Sequence, residues 1–277
     1  MSATPLMTLT RPHPVAWVIS LASPPDNRLT PELLHELGAM LDIVEAEWRA
    51  TGAGNEDPKE RGKYNGAGTL VITSALPKFF SNGLDPTCLI DPNFFESDYD
   101  PVMYRLMTFP LVTVAAINGH AFAGGMVLAL SCDFRVMTSG KGMVSMNEIF
   151  LGLPLPNSFN QIISSRLTPR AARDTMLGKR WTQPELLKEG VLDEIVDDQG
   201  AGKEGAVLKR AVELGLKASQ TIGSGSWGAI KEGLYHAFID QSRSNRKVLM
   251  PAHAAIGFEK RRELQKLTAA KLSSAKL

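Results

Sequence analysis

Three places in this sequence carry residue types and spacings that could do chemistry. FFSNGLD (79–85) sets Gly83 in a turn after an apolar run. HAFAGGM (120–126) sets Gly124 and Gly125 where a β-like run hands over to a second apolar run, read as a short helix over 124–132. MNEIFLGLPLP (146–156) sets Glu148 between apolar runs before a proline-broken loop. A backbone stripped of side chains at a helix start exposes free N–H groups. Two such amides from different turns can converge on one oxygen and stabilise the negative charge it acquires, each contributing about 2.7–4 kcal/mol in the transition state. The other reading of the glycines is tight helix–strand packing. A carboxylate among apolar residues is costly unless paired or functional, and partial burial raises its pKa toward that of a general base. An exposed loop carboxylate or a buried ion pair is the alternative for Glu148. His120, Asp85 and Asp133 are weaker candidates, being of types that serve structure at turns, and no Ser-His-Asp arrangement can be read. Neither GxGxxG nor GxxxxGK[ST] occurs, so nucleotide-phosphate loops of those types are not supported.

The elements that must hold these residues are legible from periodicity. β-Branched and aromatic runs at 7–11, 15–21, 69–75, 111–117, 134–138, 143–146 and 191–196 read as strands. Thr30 followed by Pro31 reads as a helix start, with apolar residues at 33, 34, 37, 40, 41, 44 and 48. Residues 51–68 read as a polar surface loop, 78–86 as a turn and 97–109 as a helix. Beyond about 157 the pattern is mostly helical. This is an α/β chain, with a core of 1–195 and a helical region of 196–277.

Composition bounds the partners. The 277 residues carry 30 basic and 29 acidic side chains, net +1, which argues against a dedicated nucleic-acid surface. Two cysteines, Cys88 and Cys132, with no Cys/His cluster, predict a reduced compartment and no structural metal. No secretory signal and no membrane-spanning helix is expected. Ala275-Lys276-Leu277 resembles the SKL-type peroxisomal address.

Taken together, FFSNGLD, VAAINGHAFAGGMVLALSCDFRVM (114–137) and MNEIFLGLPLP, in this order and spacing, resemble the enoyl-CoA hydratase/isomerase (crotonase) superfamily. LGLPLPNSF looks most like the peroxisomal Δ3,Δ2-enoyl-CoA isomerases of plants and fungi. The resemblance implies a spiral of ββα units with a C-terminal helical region, and a homotrimer or hexamer. It implies an acyl-CoA thioester whose oxygen is held by the N–H groups of Leu84 and Gly124. The groove for coenzyme A would draw on Asn27, Arg28, Lys78, Phe79, Ser81, Asn82 and Gly83. Phe94, Phe95, Tyr99 and Met103 are candidates for an acyl pocket or for ordinary core.

Hydratases of the family use two glutamates. Here Val127 stands where the first would be, and Glu148 matches the second. One carboxylate suffices to move a double bond, so the expected activity is isomerisation of 3-enoyl-CoA to trans-2-enoyl-CoA in β-oxidation, with no cofactor beyond the substrate's own CoA. A peroxisomal location and an import receptor recognising the C-terminal AKL follow from the same resemblance. A hydratase, a thioester hydrolase or a non-catalytic acyl-CoA binder are the alternatives.

Overall fold

The computed structural model describes residues 5–222, 225–243 and 251–274; the C-terminal tripeptide lies outside them. The chain opens with an antiparallel pair, β1 (Met7–His13) and β2 (Ala16–Leu21). Helix α1 (Pro31–Ala50) follows; the Thr30 hydroxyl accepts from the Leu33 N–H at 3.3 Å, and Pro31 sits in the first turn. Its apolar stripe, Leu33 to Trp48, is buried. Then come β3 (Thr69–Ser74), β4 (Phe79–Ser81), α2 (Asp100–Met107), β5 (Val112–Ile117), β6 (His120–Phe122), α3 (Gly124–Leu130), β7 (Phe134–Thr138) and β8 (Val144–Ser145). Helices α4 (Asn157–Arg166), α5 (Pro169–Met176) and α6 (Gln183–Lys188) lead to β9 (Glu194–Val196). The chain ends in α7 (Ala206–Ser219), α8 (Ser226–Arg243) and α9 (Pro251–Ser274).

The large sheet runs β1-β2-β3-β5-β7-β9, parallel after the first pair. Strands β3 and β5 are buried along their whole length, as parallel strands covered on both faces must be. Alternation sorts their side chains. Leu70, Ile72, Ala115 and Ile117 face the main core, while Val71, Val112, Val114 and Ala116 pack against Val207 and Ala211 of α7. Gly215 lets α7 settle that closely, because a Cβ there would stand 2.1 Å from the Thr69 hydroxyl oxygen.

A second, three-stranded parallel sheet has the order β4-β6-β8. It overrides one expectation and adds a short strand. Phe79–Ser81, read as part of a turn, pairs as a strand, and His120–Phe122 forms another. Both are three residues long, too short to show a period. The loop 51–68 packs at the far end of α1, where Trp48 donates to the Gly66 carbonyl at 3.1 Å. A 20-residue helix is about 30 Å long, so the loop begins that far from Thr30.

Candidate active site

The short second sheet places two turns side by side. After β4 the chain passes Asn82 and turns at Gly83, whose φ of +88° suits glycine. After β6 it turns through Ala123, held at φ 51° and ψ −123°, into the first turn of α3. The turns touch. A Cβ on Gly83 would lie 2.7 Å from Cβ of Ala123 and 3.1 Å from the Gly124 nitrogen. One on Gly125 would lie 2.4 Å from the Ser81 carbonyl oxygen. Glycine at 83 and 125 is therefore a packing requirement, and that packing brings Leu84 against Gly124. The Gly124 N–H belongs to the first helical turn and has no intrahelical acceptor. Among the described residues, no backbone carbonyl outside the regular elements takes the N–H of Leu84 or of Gly124.

A third segment fixes the Gly83 turn. Asn27, itself at φ 52°, donates to the Ser74 hydroxyl at 2.7 Å and to the Phe80 carbonyl at 3.1 Å. Its carbonyl accepts from the Ser81 hydroxyl at 2.7 Å. Asp26 accepts from the Asn82 backbone at 2.9 Å and side chain at 2.7 Å, and the Leu29 N–H donates to the Gly83 carbonyl at 2.8 Å. Asn27 and Ser81 are wholly buried, so their side chains shape the turn from behind. Arg28 and Lys78 stand at the surface, Arg28 paired to Asp26 at 3.3 Å and Lys78 over the ring of Phe79 at 5.1 Å. Phe79 is half-buried and forms an aromatic group with His120 and Phe122.

Glu148 arrives from β8. The Ala123 N–H donates to the Ser145 carbonyl at 2.8 Å, stitching β8 to the second turn. Three residues on, Glu148 opens a one-turn 3₁₀ helix, Glu148–Leu151, closed by Gly152 at φ 67°. Its Oε2 is buried and has no hydrogen-bond partner. Burial raises its pKa, against a smaller pull from the nearby backbone N–H groups of Asn147 and Glu148. It is close enough to Tyr99 to help raise that phenol's pKa, to which burial contributes most. Val127 is fully buried in α3.

The remaining ionisable candidates are occupied with structure. Asp85 caps a short 3₁₀ helix, accepting from the Thr87 N–H at 2.9 Å and hydroxyl at 2.7 Å, which holds its pKa down. His120 accepts from the Met143 N–H at 3.1 Å through Nδ1, and burial lowers its pKa. Asp133 accepts from the Thr113 N–H, the Trp227 indole and the Lys231 ammonium, at 3.0, 2.9 and 3.0 Å. An aromatic group includes three of the acyl-pocket candidates, Phe94, Phe95 and Tyr99. Phe94, Phe95, Tyr99 and Phe159 pack with ring centroids 5.3–6.3 Å apart. Phe159, on α4, had no distinguishing signal in the sequence. Asp26 and Ser74 were likewise missed, although Asp26 follows a Pro-Pro pair that marks a constrained loop.

Residues 61–224 match the enoyl-CoA hydratase/isomerase family model. The chain belongs to that family. Among curated family members, peroxisomal enoyl-CoA delta isomerase 2 of Arabidopsis thaliana is 33% identical over 181 residues, 61% of this chain and 74% of that protein. Mitochondrial enoyl-CoA delta isomerase 1 of Mus musculus is 33% identical over 201 residues, 70% of this chain and 64% of that protein. Among solved structures, an enoyl-CoA isomerase of Mycobacterium tuberculosis superposes with a TM-score of 0.71 at 25% identity, covering 86% of this chain and 95% of its own. The crotonase fold, with its sheets and helical C-terminal region, is thus the fold of this chain.

Proposed function

We propose that this chain shifts the double bond of a 3-enoyl-CoA to the trans-2 position in fatty-acid β-oxidation, with Glu148 as the one proton carrier. The observation that carries this reading is the half-buried Glu148, whose Oε2 is buried and unpartnered, on a scaffold where residue 127 is a buried valine. Adding water needs a second group to position and activate it, and valine neither accepts nor donates a proton. Isomerisation needs less. Glu148 takes a proton from C2, and the C2–H electrons move into the thioester, leaving a dienolate. The Leu84 and Gly124 N–H groups hold its oxygen anion. The same carboxyl group then protonates C4, the enolate electrons return, and a C2=C3 bond results. CoA belongs to the substrate, and no step calls for a further cofactor. Among the described residues no cluster of His, Cys, Asp and Glu is arranged to hold a metal.

The relatives' names support isomerisation and include peroxisomal and mitochondrial enzymes. By likeness to the peroxisomal relatives we propose a peroxisomal location, an import receptor as partner, and a homotrimer or hexamer. Arg28 and Lys78, at the surface beside the Gly83 turn, supply positive charge for the phosphates of CoA.

The test follows trans-3-hexenoyl-CoA with purified protein. Conjugated 2-enoyl thioester should form without free CoA or 3-hydroxyacyl-CoA, and Glu148→Gln should stop it. A hydroxyacyl product would make the chain a hydratase, and free CoA would make it a thioester hydrolase.

A further inference from the structure

We infer that Tyr99 is a positioning residue: its hydroxyl, donated to the carbonyl of Gly124, holds the Gly124–Gly125 peptide and, through the Gly124 Cα, fixes the adjoining Ala123–Gly124 peptide whose N–H receives the thioester oxygen. The inference rests on the isomerase reading above and adds a residue to it.

Four observations carry it. The Tyr99 hydroxyl lies 3.0 Å from the Gly124 carbonyl oxygen, and the whole side chain is buried. Tyr99 ends a one-turn π-helix, Phe95–Tyr99, that runs directly into α2. Such turns re-aim a side chain that a regular helix would point elsewhere, and they concentrate at functional sites. The turn being held lacks the usual support, because Ala123 precedes α3 with no side-chain cap, in a positive-φ conformation that is costly for alanine. Finally, the Tyr99 ring packs on Phe95 and Phe159 with centroids 5.9 and 5.3 Å away. One side chain thus joins the aromatic group to the peptide next to the one whose N–H would meet the thioester. Burial keeps its phenol neutral, and so a donor, across the physiological range.

A hydroxyl that fixed only the fold would change stability and leave the polarisation of the substrate carbonyl alone. Tyr99→Phe removes the donor and keeps the ring. With trans-3-hexenoyl-CoA, kcat should fall about tenfold with KM changed less than twofold. Bound 2,4-hexadienoyl-CoA supplies the second readout, because donors on its carbonyl move the absorption to longer wavelength. That red shift should shrink in Tyr99→Phe. Tyr104→Phe is the control: it also removes a buried hydroxyl, one paired with Ser242 away from this turn, and should keep both kcat and the shift.

Unchanged kcat and an unchanged shift in Tyr99→Phe would overturn the inference and leave the isomerase reading standing. No isomerisation and no shift in the unaltered protein would overturn that reading first, and this one with it. Should Tyr99→Phe fail to fold, 3-fluorotyrosine at position 99, a stronger donor of nearly the same size, should enlarge the shift. An identical shift would refute the role.

Discussion

Gly83 stands so close to Gly124 that a side chain on the first would press into the second: an added Cβ would lie 3.1 Å from the Gly124 nitrogen and 2.9 Å from the Phe122 carbonyl oxygen. The neighbours are backbone and cannot swing aside, and Gly83 also sits at φ +88°. Gly83→Ala should therefore push the two turns apart and misplace one proposed donor relative to the other. A displacement near 1 Å costs on the order of a hundredfold in rate. The expected result is kcat lowered by about that factor in a protein that still folds, read by the hexenoyl-CoA assay beside circular dichroism. Full activity would mean that the two turns do not act on one oxygen.

Glu148 must be ionised to take the C2 proton. Burial raises its pKa above the ordinary glutamate value, so kcat/KM should fall on the acid side through an apparent pKa above that value. Above it, the rate should level off. Glu148→Gln should lose at least about a thousandfold, in keeping with the loss of a general base, while CoA affinity stays within a few fold. A flat pH profile between 4 and 8, or retained turnover in Glu148→Gln, would take the base role away.

Long elements were legible in the sequence because they repeat a period. The α1 stripe and the buried runs of β3 and β5 declare themselves over six or more residues. The short sheet did not. Phe79–Ser81 and His120–Phe122 exist as strands because the spiral brings them together, an effect of tertiary pairing that three residues cannot encode locally. The same limit applies to the site. Gly83, Gly124 and Glu148 were found by motif and spacing, and the structure sets Gly83 against Gly124. The role of Asn27 was read as a ligand contact, yet its amide is spent on Ser74 and Phe80. Nothing in DNR distinguishes a residue facing a groove from one braced behind it.

That bracing gives a third expectation. Asn27→Ala removes the donors to Ser74 and Phe80 and leaves a buried carbonyl and hydroxyl short of a partner. The cost should be about 1–3 kcal/mol, seen as a lower urea midpoint at unchanged m-value. A drop below 0.5 kcal/mol, roughly the floor for a lost hydrogen bond, would show that the turn holds itself.

Asp100, at the start of α2, gives a pH-dependent expectation of opposite sign to the usual carboxylate. Its Oδ1 is buried without a partner, and burial raises its pKa to about 6, outweighing the Ser158 and Tyr104 hydroxyls and Arg243, which favour the charged form. The folded state therefore holds a proton that the unfolded state has released. The contribution to stability is full below the unfolded value near 3.9 and is lost as pH rises through about 6. Asp100→Asn should stabilise the protein at pH 7.5 by on the order of 1–3 kcal/mol and leave it unchanged near pH 3.5. Equal effects at both pH values would mean that folding leaves the Asp100 pKa unshifted.

A buried ion pair joins α8 to the core, and this sets the last expectation. The Lys231 side chain is 0% exposed and its ammonium reaches Asp133 at 3.0 Å and the Leu111 carbonyl at 3.2 Å. Lys231→Met fills the same space without the charge. Asp133 then keeps only the Thr113 and Trp227 N–H donors for a carboxylate out of reach of solvent. Removing one partner of such a pair costs about 3–5 kcal/mol, because the other is left charged and buried. Adding Asp133→Asn to Lys231→Met removes the stranded charge and should recover part of the loss. Denaturant unfolding of the two single variants and the double variant closes the cycle. If the double variant is no more stable than Lys231→Met, the stranded Asp133 charge is not the source of the loss, and the ion pair is not what fastens α8.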